Sequence, residues 1–167
     1  FKNDFKQSIE AINTITLKDT RWSNANIKTI QLLPNALAKT KAKSKNADEA
    51  IFVDNLDYIT EGASSNVWIL THKNILKTRD LDGSILPGIT RNTILKCAKK
   101  NKISVIEEKF KIDDLYNAKE VFITSASSFV TPVKKVNEIL INNGITGYFA
   151  NKLRVEYFKY LVLRSDT

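Results

Sequence analysis

The chain has 167 residues, 43% of them hydrophobic, which is enough for one domain with its own core and excludes a disordered linker. The single Cys97 and the single His72 exclude a disulfide scaffold and a zinc centre built from several histidines, so no metal site is expected. The net charge of +8 comes mainly from scattered lysines, which favours a solvated surface over a nucleic-acid-binding face. No apolar run reaches the length of a membrane span.

The first half of the chain alternates between short strands and single helices. Alternating β-branched residues predict a strand at 12–18, and short apolar runs between polar turns predict four further strands. These further strands are 49–53, 58–61, 66–71 and 75–78. Prolines near their starts predict helices over 32–44 and 90–100, the second with Ile94, Cys97 and Ala98 facing inward.

The second half continues the same mixture. We predict strands at 104–110, 120–124 and 129–136, and a helical turn at 113–118. The last helix starts near Tyr148, and its apolar stripe comprises Phe149, Leu153, Tyr157 and Leu161. In the core we also expect Trp22 and Trp68, whereas His72 belongs to a polar turn. The order of elements indicates an α+β fold with a mixed sheet or mixed barrel, in one domain.

A lysine in an apolar setting is the first candidate for chemistry. Lys28 lies between Ile27 and Ile30, directly before the first helix. At an inward position its pKa would be lowered by burial, as a Schiff-base nucleophile requires. The alternative, which the pattern by itself favours, is a lysine at a strand end whose charged head extends into solvent.

Three further segments offer polar groups to a ligand. Glu61, followed by glycine, small residues and Asn66, is typical of a turn but could present a carboxylate to a ligand cation. The segment 87–91 precedes a helix, and its free N–H groups suit an anion; the hydroxyl-rich segment 124–128 follows a strand. Each of these signals is weak by itself, because helix N-termini and turns commonly have such sequences.

Taken together and in this order, the segments resemble the C-terminal half of the fold-type-IV pyridoxal-phosphate enzymes. The motifs are Ile27-Lys28-Thr29 with Leu32-Leu33-Pro34-Asn35, Thr60-Glu61-Gly62 with Ser64-Ser65-Asn66, Leu86-Pro87-Gly88-Ile89-Thr90-Arg91, and Thr124-Ser125-Ala126-Ser127-Ser128. The match covers nearly the whole chain, from about Thr16 to the final helix. It implies the barrel-like large domain of the D-amino acid aminotransferase-like fold, with pyridoxal 5′-phosphate as cofactor.

The resemblance also implies roles for individual residues. Lys28 would form the Schiff base and move the proton, and Glu61 would pair with the pyridine nitrogen of the cofactor. Leu86 would pack against the cofactor ring. The other residues expected to bind the cofactor are Ser64, Ser65 and Asn66 near its polar edge, and Gly88, Ile89, Thr90, Ser125 and Ala126 around its phosphate.

The implied activity is transfer of an amino group between an amino acid and a 2-oxo acid. The motifs are more similar to D-amino acid transaminases, acting on a substrate such as D-alanine. The alternatives are a branched-chain aminotransferase or an aminodeoxychorismate lyase of the same family, and outside it a basic nucleic-acid-binding module. The resemblance further implies a cytoplasmic homodimer that binds neither nucleic acid nor membrane. The opening Phe1 and the absence of Met indicate a processed product or part of a longer chain. The resemblance implies that residues 1–167 are the single C-terminal cofactor-binding domain of such a chain, without the N-terminal domain.

Overall fold

The computed structural model describes residues 9–165, and side chains as far as Val162. Within these residues, nine strands form one mixed sheet. They are β1 Ile12–Lys18, β2 Glu49–Val53, β3 Ile59–Gly62, β4 Asn66–Leu70, β5 Leu76–Thr78, β6 Val105–Glu107, β7 Glu120–Ser125, β8 Phe129–Val136 and β9 Ile139–Leu140. The α-helices are α1 Leu33–Ser44, α2 Ile89–Lys100, α3 Ile112–Tyr116 and α4 Tyr148–Ser165, and a 3-10 helix covers Ile141–Gly144.

The sheet has the strand order β3-β2-β1-β8-β7-β4-β5-β6, with β9 paired to β8. Strand β1 runs parallel to β2 and β8, whereas β7 runs antiparallel to β8 and β4. Strands β3 and β4 are distant in this order, yet only residues 63–65 join them. The sheet therefore curls, and the curl brings the last residues of β3 close to the first residues of β4 and the last residues of β7.

Both faces of the central strands are buried. Along β4, Val67 and Ile69 belong to the cluster inside the curl, whereas Trp68 and Leu70 belong to the cluster beneath α2 and α4. The ring of Trp68 stacks on Phe122 of β7, with ring centroids 5.7 Å apart. Because side chains alternate between the faces of a strand, a strand buried on both faces is apolar at every position.

Most of the element predictions are confirmed. Strands 12–18, 49–53 and 129–136 have the predicted bounds, and helices α1 and α2 each differ by one residue at their start. The predicted strand 104–110 is confirmed only for 105–107, since the neighbouring β5 has three residues and leaves the rest unpaired. The α+β fold with a mixed sheet is confirmed. Residues 1–8 and 166–167 lie outside the described part of the chain.

Four predictions concern which side chains are buried. Trp68 and Cys97 are buried as expected, but the prediction for Trp22 is wrong: 48% of it is exposed, because it lies in the irregular segment 19–32. The apolar stripe predicted on α4 is confirmed for Leu153 and Tyr157, which are buried, but not for Leu161, which is exposed.

Within the described residues, no helix is long and apolar enough to cross a membrane. The same residues contain no group of three side chains that could hold a metal ion.

The start of α4 depends on a buried carboxylate from β7. The oxygens of Glu120 accept the N–H groups of Phe149 and Ala150 at 3.1 and 3.0 Å. A methyl group on Gly147 would overlap this carboxylate, so glycine is required there. The contact satisfies two of the N–H groups that a helix start leaves without partners.

We therefore expect Glu120→Ala to lower the free energy of unfolding by about 2 kcal/mol, because two buried N–H groups lose a charged acceptor. Chemical denaturation of the variant measures this loss. The control is Glu138→Ala, whose side chain is 95% exposed. A loss no larger than that of the control would contradict the capping role.

Candidate active site

The segments selected from the sequence surround one cavity of about 1020 Å³. Its wall consists of the irregular segment before α1, the β3–β4 turn, the start of α2 with the preceding loop, and the end of β7. The selected residues that line it are Lys28, Glu61, Ser64, Ser65, Asn66, Leu86, Gly88, Ile89, Thr90, Ser125 and Ala126. The curl of the sheet thus brings together residues almost one hundred positions apart.

Glu61 is a buried carboxylate with three hydrogen-bond donors. Its Oε2 accepts the side-chain amide of Asn66 and the backbone N–H of Leu86, each at 3.0 Å. Its Oε1 accepts NH1 of Arg21. Burial raises the pKa of Glu61 to about 7, although the Arg21 charge and the Leu86 N–H oppose this rise. A carboxyl group with such a pKa can change its protonation state near neutral pH.

Arg21 is the partner that the sequence analysis missed. Its guanidinium binds Asp19 through Nε at 2.9 Å and NH2 at 2.7 Å, and NH2 also donates to the carbonyl of Ser84 at 2.9 Å. The group lies over the ring of Phe52, 4.8 Å from its centroid. Hydrogen bonds from Arg21 and Thr60 lower the pKa of Asp19 despite its burial. The available signal was an acid and an arginine two residues apart directly after a strand.

Asn66 connects Glu61 to the loop before α2. Its amide donates to Glu61 and also, at 2.9 Å, to the carbonyl of Leu86. A Cβ on Gly88 would overlap the Asn66 side-chain oxygen. The loop therefore needs glycine at position 88, and one amide side chain fixes both the carboxylate and the start of the helix.

The N-terminus of α2 is suited to an anion. Gly88 is the N-cap, no side chain caps the helix, and the first turn contains no acidic residue. The hydroxyl of Thr90 is buried and has no hydrogen-bond partner within the described residues. Unpaired N–H groups and the helix dipole favour a negatively charged ligand here, and the Thr90 hydroxyl adds a further donor.

The end of β7 forms the opposite side of this anion site. Thr124 is held by the indole N–H of Trp68 at 3.0 Å. The Ser125 hydroxyl accepts the N–H of Ser128 at 3.0 Å, and its own O–H proton remains available to donate. Ala126 has no side-chain donor, so this turn can offer an anion the Ser125 hydroxyl and backbone N–H groups.

Lys28 lies at the cavity and is exposed, which agrees with the solvent-extended lysine that the pattern by itself favoured and not with an inward, buried one. The segment 19–32 has no regular secondary structure, and although Arg21 near its start is buried, residues 26–28 are exposed. Within the described residues no hydrogen bond or ion pair holds Lys28. Its amine is therefore free to reach a ligand in the cavity.

Glu49 is a second carboxylate that the sequence analysis missed. It is buried at the start of β2, where its Oε2 accepts the hydroxyls of Ser64 at 3.0 Å and Ser65 at 3.3 Å. Lys39 of α1 provides the compensating charge, with its Nζ 3.2 Å from Oε2. Both serines line the cavity, but their hydroxyls donate to Glu49 behind it. No pattern in the sequence distinguishes this glutamate from an exposed strand residue.

Comparisons with known proteins agree with this geometry. The family model described as amino-transferase class IV matches residues 2–136. A D-alanine aminotransferase from Listeria innocua is 39% identical over 160 residues, which are 96% of this chain and 54% of that protein. One from Staphylococcus aureus is 39% identical over 150 residues, 90% of this chain and 52% of that protein.

Solved structures share the fold. The branched-chain amino acid aminotransferase of Escherichia coli is 30% identical with a TM-score of 0.79, over 90% of this chain and 52% of that one. That of Thermus thermophilus, solved with pyridoxamine 5′-phosphate, is 29% identical with a TM-score of 0.80, over 93% and 52%. The chain spans about half the length of these relatives. The match over most of its residues shows that the chain belongs to the class IV aminotransferase family.

Proposed function

We propose that the intact protein is a pyridoxal-phosphate-dependent aminotransferase that moves an amino group between a D-amino acid, such as D-alanine, and a 2-oxo acid. The main support is one cavity that holds a free lysine amine, a carboxylate and an uncapped helix N-terminus with an orphaned hydroxyl. The D-alanine aminotransferases among the relatives support the substrate class.

The side chains and backbone fit the two ends of such a cofactor. The N–H groups of Ile89 and Thr90, the Thr90 hydroxyl and the turn at 125–126 would hold the phosphate. Glu61 would hold the ring nitrogen in its protonated form. When bound, the cofactor supplies an electron-withdrawing ring that accepts negative charge from the substrate Cα. Leu86 borders the cavity between these two ends and would pack against the ring.

Lys28 supplies the acid–base chemistry in this proposal. Its amine would hold the cofactor, and once the amine of the substrate replaces it there, it would act as the base that takes the proton from the substrate Cα. An exposed, unpaired side chain at the cavity can move between these two positions.

Glu49 and the two serines have a supporting role. The Ser64 and Ser65 hydroxyls donate to Glu49, so their lone pairs remain available to donors on a ligand. Lys39 neutralises the buried charge of Glu49. This arrangement fixes the β3–β4 turn, which directly follows the end of β3 where Glu61 lies.

A branched-chain substrate is the second candidate, because the solved neighbours named above are branched-chain aminotransferases. The same proposal includes a homodimer located in the cytoplasm, which the family resemblance supports. Neither a nucleic-acid nor a membrane partner is part of it.

We expect Lys28→Ala to reduce transamination by about 10³-fold or more in kcat, because the variant lacks both the attachment point and the base. Borohydride treatment of the wild-type holoenzyme, followed by peptide mapping, should find the reduced cofactor on Lys28. The control is Lys43→Ala, which removes an exposed lysine outside the cavity. A label on another lysine, or normal turnover by Lys28→Ala, would contradict the assignment.

A panel of D- and L-amino acids tests the substrate class. We expect D-alanine to convert the absorption spectrum of the bound cofactor in the intact protein, with L-leucine and L-isoleucine much slower. Stopped-flow spectra measure both rates in the same sample. A preference for the L-amino acids would support the branched-chain alternative and exclude the D-specific one.

The pKa of Glu61 predicts how stability depends on pH. Because it rises from 4.5 to about 7 on folding, the folded protein keeps a proton that the unfolded chain loses between these values. This group alone therefore lowers the free energy of unfolding as pH rises from 4.5 to 7, by up to about 3 kcal/mol. Glu61→Gln should remove this dependence.

Denaturation of the ligand-free intact protein at several pH values measures the effect. All other titrating groups are shared, so the difference between the wild-type and Glu61→Gln curves isolates Glu61. Glu138→Gln, at an exposed position, should give a curve parallel to wild type. Parallel curves for wild type and Glu61→Gln would contradict the raised pKa.

A further inference from the structure

We propose that Arg21 is a positioning residue for the cofactor: its guanidinium fixes the Glu61 carboxylate so that one acceptor site of Oε1 remains for the ring nitrogen. This inference rests on the proposed function. The lysine and the phosphate-binding groups act without Arg21.

The Glu61 carboxylate keeps one hydrogen-bond acceptor site without a donor among the described residues. An ionised carboxylate has about four lone-pair sites. Within the described residues Asn66 and Leu86 occupy both sites of Oε2, and Arg21 occupies one site of Oε1. The remaining site lies on the oxygen that Arg21 holds. Glu61 and Arg21 both line the cavity, so a ring N–H can approach this site from there.

The orientation of Arg21 is itself fixed from several sides. Asp19 binds it with both carboxylate oxygens, the Ser84 carbonyl accepts a further N–H, and the Phe52 ring lies against it. Asp19 belongs to the segment 19–32 and Ser84 to the loop before α2, and both segments contribute residues to the cavity wall. A lysine could supply the charge but not the planar fork that contacts Asp19 and Glu61 at once.

The charge of Arg21 also affects the ionisation of Glu61. The charged groups that face Glu61 among the described residues are Arg21 and, behind it, Asp19. Burial and Asp19 both favour the protonated carboxyl, and Arg21 is the cation that opposes them. A neutral carboxyl group would pair poorly with a protonated ring nitrogen, so fixing the carboxylate and keeping it ionised serve the same purpose.

A second buried arginine provides a matched control. The side chain of Arg79 is 4% exposed, against 7% for Arg21, and it also binds a carboxylate, Asp82, at 2.7 Å, together with the carbonyl of Ile59 at 3.0 Å. It does not line the cavity and does not contact Glu61. Replacing either arginine with lysine disturbs a buried ion pair, but only one of the two pairs includes Glu61.

The test measures binding of pyridoxal phosphate to the ligand-free intact protein in wild type, Arg21→Lys and Arg79→Lys. A second titration uses the deaza analogue, in which a C–H group replaces the ring nitrogen. We expect Arg21→Lys to weaken pyridoxal phosphate binding about tenfold while binding of the deaza analogue stays near wild type. Arg79→Lys should leave the ratio of the two affinities, for pyridoxal phosphate and for the deaza analogue, as in wild type. Both variants should lose thermal stability.

The pH dependence of the absorption band of the bound cofactor is an independent readout. We expect its midpoint to shift in Arg21→Lys, which keeps the positive charge but loses the fork, and not in Arg79→Lys. Equal losses for the two ligands in Arg21→Lys, or an unshifted midpoint in that variant, would overturn the positioning role. Failure of wild type to bind pyridoxal phosphate would instead overturn the proposed function, so the two failures are distinguishable.

Discussion

The buried carboxylate of Glu61 joins the parts of the site. Its donors come from the segment after β1, from the start of β4 and from the loop before α2. Removing a charge from water is unfavourable unless hydrogen bonds and an opposite charge compensate for it, so these three segments must stay in contact with Glu61. The requirement to compensate one buried charge therefore fixes the geometry of most of the cavity wall.

The curled sheet makes this arrangement possible. Strand β3 is an edge strand, whereas β4 pairs with strands on both sides, and the 63–65 turn brings the two together. The apolar clusters on both faces of the central strands hold the curl in place. The site is thus formed at the strand ends of a rigid core, while the segment with Lys28 remains irregular and exposed.

Periodicity predicted the elements well, because burial of a strand or helix face leaves a repeated pattern of apolar residues. The strand 12–18 and the helices near Pro34 and Pro87 are examples. The positions of Trp22 and Lys28 could not be predicted in this way, since an irregular segment has no repeat to indicate its orientation. Glu49 and Arg21 were missed because their burial depends on partners far away in the sequence.

The contact between Gly88 and Asn66 has a consequence for which ligands fit. Asn66 holds Glu61, and it also lies directly against the N-cap residue of α2. One side chain therefore links the carboxylate to the anion site. A ligand with a cationic and an anionic end would have to match the separation that this link sets in order to reach both.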